Sequence, residues 1–127
     1  MGFPPEFKYT KEHEWLSSET DGSNKIGITD YALEQLGDVV HIELPEKGES
    51  FEVGATFGTI ESTKTVSDLY MPVSGKVSEI NDKLVDELEK LAEAPYADGW
   101  LIKIQPEGND GELMSAEEYE SFIAEEE

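Results

Sequence analysis

Between Asp38 and Leu44 the chain alternates. Val39, His41 and Glu43 fall on one face of a strand, and Val40, Ile42 and Leu44 on the other. Runs rich in β-branched and aromatic residues mark further strands at Lys8–Thr10, Lys25–Ile28, Thr56–Ile60, Val66–Tyr70, Gly75–Ile80 and Trp100–Ile104. In three places the period lengthens to that of a helix. Thr29 or Asp30 caps a short one, Leu33 and Leu36 share its face, and Gly37 ends it in the left-handed region. Leu84, Leu88 and Leu91 recur at i, i+4 and i+7, which predicts one amphipathic helix over residues 83–93, ending before Pro95. Ser115 and Glu118 form a capping box, Met114 staples against Tyr119, and Tyr119, Phe122 and Ile123 give the last helix its apolar face. Its closing acids, Glu125 to Glu127, sit at the unfavourable end of the helix dipole and are expected to fray.

Turns fall at Asp21-Gly22, Pro45–Gly48, Gly54 and Tyr96–Gly99, and residues 106–111 read as a loop. Many short strands with a few short helices predict a mostly β fold, an antiparallel sandwich or flattened barrel. The reading is one domain over residues 1–127, with its core at about 8–124 and a loose N-terminal arm over 1–6. A chain of this length buries roughly two-thirds of its unfolded surface and needs no covalent staple.

Two of the predicted strands enclose a polar centre, Glu61-Ser62-Thr63-Lys64-Thr65, and so read as a hairpin with Lys64 at its tip. The turn type stays open, because Ser62 to Thr65 contains neither glycine nor asparagine. A lysine at such a tip presents its amine away from the body of the domain. A modifying enzyme can reach it there, and an attached arm can swing.

Charge then narrows the partners. Thirty acidic residues against nine lysines and no arginine give a formal charge of −21. Nucleic acid and anionic membrane surfaces are disfavoured. The charge suits a self-repelling monomer that docks transiently on basic surfaces of larger proteins, and solubility or adaptation to salt accounts for it equally well. Cysteine is absent, which excludes disulfides and thiolate catalysis and suits a reducing compartment. No apolar run approaches the ~20 residues of a membrane span. The start lacks the order of a signal or transit peptide, and Glu6 stands where a myristoylation motif needs Ser or Thr. The chain thus reads as soluble and intracellular.

His13 lies between Glu12 and Glu14, but the other histidine is His41, in a strand, so no closed zinc site is expected. Trp15 reads as a core residue and His41 as a partly exposed sheet residue. No nucleophile and base are spaced for catalysis.

Glu61-Ser62-Thr63-Lys64-Thr65-Val66-Ser67-Asp68-Leu69-Tyr70, followed by Pro72-Val73-Ser74-Gly75-Lys76-Val77, resembles the lipoyl-lysine hairpin of the glycine cleavage system H protein family. Further blocks are similar to that family, in its order: Tyr9 to Trp15, Gly27 to Ala32, Gln35 to Val40, Glu43-Leu44-Pro45, Pro95 to Ile104, and Ala116 to Tyr119. The resemblance spans roughly residues 8–124.

The resemblance implies a barrel-sandwich hybrid of two antiparallel sheets with a C-terminal helix. It implies lipoate joined by an amide to Lys64, and a carrier instead of an enzyme, with no catalytic residue of its own. The arm would take the aminomethyl group of glycine from a pyridoxal-phosphate (PLP) glycine decarboxylase and pass it to a tetrahydrofolate-dependent aminomethyltransferase. A flavin (FAD) dihydrolipoyl dehydrogenase using NAD would then reoxidise it, and lipoylating enzymes would install it. The positions matching the family's arm cleft are Glu14, Ile28, Gln35, Leu36 and Asp68. Glu14 and Asp68 would face the ammonium and Ile28 and Leu36 would exclude water, with neither acid part of the apolar core pattern. The location implied is the cytoplasm of a bacterium, or the mitochondrial matrix for a mature organellar form. Thr63 and Thr65 depart from the family's usual Val or Ala, and residues 83–93 are more helical and charged than usual. The rival readings are a lipoyl domain of a 2-oxo acid dehydrogenase and a protein that donates lipoyl groups to others.

Overall fold

A computed structural model describes residues 3–97, 99–110 and 113–126. In chain order the elements are β1 (Lys8–Tyr9), β2 (Glu14–Ser18), β3 (Asn24–Ile28), α1 (Asp30–Leu36), β4 (Val39–Glu43), β5 (Ser50–Phe51) and β6 (Thr56–Ser62). They continue with β7 (Val66–Tyr70), β8 (Val73–Ile80), α2 (Asp82–Asp86), α3 (Glu89–Glu93), β9 (Ile102–Asp110) and α4 (Ala116–Glu126).

The strands form two antiparallel sheets. One has six strands in the order β1-β2-β3-β9-β8-β5, and the other has three in the order β4-β6-β7. An aliphatic core joins them, with Ile26, Ile28, Ile42, Ile60, Leu69, Val77, Leu101, Ile102 and Ile104 all buried. A second, aromatic cluster gathers Phe3, Tyr9, Trp15, Tyr31 and Tyr119 around α4. Trp15 is buried there, and its indole N–H donates to the Pro95 carbonyl at 3.0 Å. Gly27 lies directly opposite Trp15 in the β2–β3 ladder, where any side chain would collide with the indole ring.

Local signals read from the sequence correspond to structure at several places. Thr29 caps α1 by accepting the Ala32 N–H, and Gly37 closes it at φ +82°. The Ser115–Glu118 capping box is present in both directions, at 2.9 and 3.2 Å.

Elsewhere packing overrules local pattern. The single helix expected over 83–93 is two short ones. The chain leaves helical geometry at Glu87 (φ −130°, ψ 59°), and Leu84 and Leu91, one on each short helix, are both buried. The strand expected over 100–104 begins at Ile102, and the loop expected over 106–111 is mostly strand, because β8 pairs with β9 out to Asp110. Pro106 is tolerated because β9 has no β3 partner beyond Ile104. Val40 does not join Ile42 inside. A bulge between Val39 and His41 turns it outward, 49% exposed. Phe3, in the arm expected to be loose, is buried against Tyr9 and Tyr119. Glu125 and Glu126, expected to fray, belong to α4. Met1, Gly2, Asp98, Gly111, Glu112 and Glu127, parts of the arm, turn, loop and tail readings, lie outside the described residues.

Candidate functional site

The Lys64 hairpin is β6 and β7, paired antiparallel with Thr59 opposite Asp68, Ile60 opposite Ser67 and Glu61 opposite Val66. Its turn uses a serine hydroxyl where hairpins commonly use glycine or asparagine. Ser62 N–H donates to the Thr65 carbonyl at 2.8 Å. Ser62 Oγ in turn accepts the N–H groups of Lys64 and Thr65, each at 3.2 Å. Thr63 N–H donates to the Asp38 carbonyl at 3.0 Å, tying the tip to the turn between α1 and β4. Lys64 is exposed, as the hairpin reading required. Its side chain does not stand clear of the domain, however. It lies along Gly37, where an added Cβ would sit 3.5 Å from Lys64 Cε.

Leu36, the residue before Gly37, opens onto a cavity of about 370 Å³. All five residues matched to the arm cleft line it: Glu14, Ile28, Gln35, Leu36 and Asp68. The fold explains their convergence. Glu14 and Ile28 are direct partners in the β2–β3 ladder. Ala32, Gln35 and Leu36 recur along one side of α1. Asp68 and its neighbours come from β7, an edge strand of the smaller sheet.

Glu14, matched to the arm cleft and read as lying outside the apolar core pattern, is the most enclosed acid of the lining. It is 2% exposed. Oε2 accepts the Tyr70 N–H at 2.7 Å, so this carboxyl bridges β2 to the outer edge of β7. Oε1 is buried without a hydrogen-bond partner. Burial pushes the pKa of this carboxyl well above the ordinary glutamate range, the Tyr70 N–H opposes that, and the nearby Glu12 charge adds to it. An orphaned buried oxygen of this kind costs stability unless something else supplies a donor. Asp68, across the cavity, is exposed. With Glu12 also in the lining, the cavity is suited to a small cation.

His13, weighed in the sequence only as a metal ligand, lines the cavity as well. It sits at φ +67°, and its Nδ1 lies 2.8 Å from the Tyr119 hydroxyl. That hydroxyl is 2.8 Å from Thr29 Oγ1, the cap of α1, so α4 braces both the His13 turn and the helical wall. Tyr31, Ala32, Ile60, Ser67 and Leu69 complete the lining and were not singled out from the sequence. The i, i+4 spacing of Ala32 and Leu36 was the available signal. A larger groove of about 770 Å³ lies at Ile80 to Leu84, Lys90 and Trp100. It holds none of the expected residues, and volume alone assigns it no chemistry.

Residues 7–126 match the family model described as Glycine cleavage H-protein. A glycine cleavage system H protein of Oceanobacillus iheyensis is 54% identical over 125 residues, covering 97% of this chain and 98% of the relative. One of Streptomyces coelicolor is 47% identical over 122 residues, covering 96% and 98%. Among solved structures, the crystal structure of a glycine cleavage system H protein from Mycobacterium marinum superposes with a TM-score of 0.90 at 42% identity, covering 96% of this chain and 99% of that one. The two-sheet architecture is therefore the barrel-sandwich one. Neither the 2-oxo acid dehydrogenase reading nor the lipoyl-donor reading is favoured by these matches.

Proposed function

The chain belongs to the glycine cleavage H-protein family, the lipoyl carriers of the glycine cleavage system, and on that premise we propose that Lys64 is the residue that carries the lipoyl group. The protein is a carrier and not a catalyst. When bound, the lipoyl dithiolane supplies a redox-active disulfide that accepts and carries the aminomethyl group of glycine. What this chain supplies is attachment and shelter. Lys64 gives an exposed amine on a turn that Ser62 holds. Ile28 and Leu36 keep water from the cavity, while Glu14 and Asp68 face a cationic amine there. Gln35 adds an amide at the rim.

One observation carries the reading. The buried Glu14 carboxyl has an oxygen without a partner in a cavity lined by Leu36, and an added Cβ on the next residue, Gly37, would sit 3.5 Å from Lys64 Cε. The residues fit a cation-bearing arm attached at the tip.

The partners follow from the same proposal: the PLP-dependent glycine decarboxylase, the tetrahydrofolate-dependent aminomethyltransferase, the FAD- and NAD-using dihydrolipoyl dehydrogenase, and a lipoylating enzyme. A bacterial cytoplasmic location belongs to it too, since the relatives named above are bacterial, and they lend no support to the mitochondrial reading. Among the described residues no helix is long and apolar enough to cross a membrane. The test is to incubate the chain with lipoate, ATP and a lipoylating enzyme, then map the added mass. Mass on Lys64 supports the assignment, and mass on Lys76 or Lys103 overturns it.

A further inference from the structure

His13 stands where a glycine is usual. The chain folds back between β1 and β2, where the His13 N–H donates to the Thr10 carbonyl at 3.0 Å and the Thr10 N–H to the Glu14 carbonyl at 2.9 Å. His13 closes that loop at φ +67°, the left-handed geometry that ends a three-residue hairpin loop. Glycine reaches it without steric cost, whereas a side chain there sits in a sparsely allowed region. What the histidine adds is an imidazole in the lining of the cleft, packed among the rings of Tyr31, Tyr119 and Phe122.

The hydroxyl chain behind that ring has a direction. Thr29 is fully buried, and its Oγ1 accepts the Ala32 N–H. Its one proton has a single acceptor among the described residues, the Tyr119 oxygen 2.8 Å away. With the Tyr119 oxygen accepting from Thr29, its own O–H is directed at His13 Nδ1, also 2.8 Å away. A ring nitrogen that accepts carries no hydrogen, so the imidazole is neutral with its hydrogen on Nε2. An imidazolium would set a second donor against Tyr119. The tyrosine proton would have to turn back to Thr29, and the buried threonine proton would lose its acceptor.

The charged surroundings pull the other way. Glu12 and Glu14 flank the ring, Asp68 faces the same cavity from β7, and Tyr31 and Tyr119 pack on it from α1 and α4. Three acids favour an imidazolium. Glu12 and Asp68 are exposed and screened, and burial drives the Glu14 carboxyl toward its own neutral form, so the hydroxyl chain decides.

We propose that His13 keeps the cleft selective for a cation: Thr29 and Tyr119 hold its imidazole uncharged, with the hydrogen on Nε2, and the ring closes the cavity beside Glu14 without repelling the amine of the arm. The proposal rests on the reading of the cleft as the seat of that amine. A charged ring would compete with the amine for the same carboxylates.

The first test uses the full chain without lipoate, isotope-labelled at nitrogen and carrying His41→Gln, so that His13 is its one imidazole. Long-range proton–nitrogen correlation at neutral pH separates the three forms of the ring. A hydrogen on Nε2 and a bare Nδ1 support the proposal, and hydrogen on both nitrogens or on Nδ1 alone overturns it. That spectrum decides without any change to the hydroxyl chain, should Tyr119→Phe fail to fold. Tyr119→Phe keeps the ring and removes the hydroxyl, and should move the signal toward the other two forms. An unchanged signal there overturns the proposal. For the second test, parent and Tyr119→Phe carriers are lipoylated, loaded by the glycine decarboxylase and separated from it, and release of ammonia and formaldehyde is compared at each pH. The variant should release about threefold faster in mildly acidic solution, where an ordinary imidazole is charged, and should approach the parent in alkaline solution. Structural loosening would raise release equally at every pH, so a ratio flat with pH overturns the proposal. Parental release from Glu14→Gln sinks the reading of the cleft as a cation seat and this role of His13 with it. The tautomer measured in the unloaded chain separates that failure from a failure of the hydroxyl chain.

Discussion

At the tip, Lys64 stands exposed on a turn closed by one serine hydroxyl. In the cleft, Glu14 is 2% exposed, with one oxygen fixed by the Tyr70 N–H and the other left without a partner. The Lys64 side chain passes near Gly37 and Leu36 lines the cleft, so adjacent residues of the chain serve two opposite environments. The difference follows from what each must do. An amine acylated by another protein has to be reachable. A carboxyl that meets a cation has to stand where water does not already satisfy it, since the same contact is worth far less in bulk solvent.

The largest effect expected from this contrast lies at the tip. Lys64→Arg keeps the charge but offers no acylable amine, so lipoate incorporation should fall below detection by intact mass. The melting temperature should not change, because the side chain is exposed. Incorporation surviving in this variant would end the tip's special status.

Stability should divide the two regions the other way. Glu14→Ala leaves the Tyr70 N–H unsatisfied and is expected to cost about 1–3 kcal/mol in chemical denaturation. Asp68→Ala, at an exposed position, should stay within about 0.5 kcal/mol. Equal losses at the two sites would erase the distinction between a structural acid and a surface one.

A third test sharpens the comparison through pH. Burial raises the Glu14 carboxyl above its unfolded value, so at intermediate pH the folded chain binds more protons than the unfolded one. Its contribution to stability is fully present below the ordinary glutamate range and is lost as pH rises through the raised folded value. Relative to Glu14→Gln, the parent should therefore lose stability on going from mildly acidic to alkaline solution. A constant gap between the two across that window would mean the carboxyl is ionised throughout.

The smallest effect concerns salt. The −21 charge acts on encounters at the exposed tip and is screened over about 8–10 Å, whereas contacts in the buried cleft are screened much less. Raising ionic strength should increase the apparent KM for turnover with the glycine decarboxylase, mainly by slowing encounter. The lifetime of a loaded carrier should barely move. A flat KM would assign the charge to solubility or salt adaptation.

What could be read from the sequence was local. The Lys64 hairpin, the capped α1 and the Ser115–Glu118 box each rest on residues within a few positions of one another. The five cleft residues came from resemblance, and periodicity alone would not have joined Glu14 to Asp68. The burial of Glu14 was not legible, because it depends on β7 approaching β2 from another sheet. The split between α2 and α3 was hidden too, since Leu84, Leu88 and Leu91 are spaced for one helix and nothing local marks Glu87 as its break. Val40 shows the limit most simply. A bulge turns Val40 outward while Ile42 stays inside, and nothing in Val-Val-His-Ile-Glu announces one.

The central claim, that the cleft shelters what the tip carries, is tested most directly on the loaded carrier itself. The carrier is lipoylated, charged with the aminomethyl group by the glycine decarboxylase, separated from the enzyme, and held in buffer without folate. Release of ammonia and formaldehyde is then timed. Losing a charge-assisted contact at a buried site costs on the order of 1–3 kcal/mol, so Glu14→Gln should release roughly ten- to a hundredfold faster than the parent. Asp68→Asn should also release faster, by a smaller factor because Asp68 is exposed. Release at the parental rate from both variants would contradict the account, since the arm's lifetime would then owe nothing to the cleft.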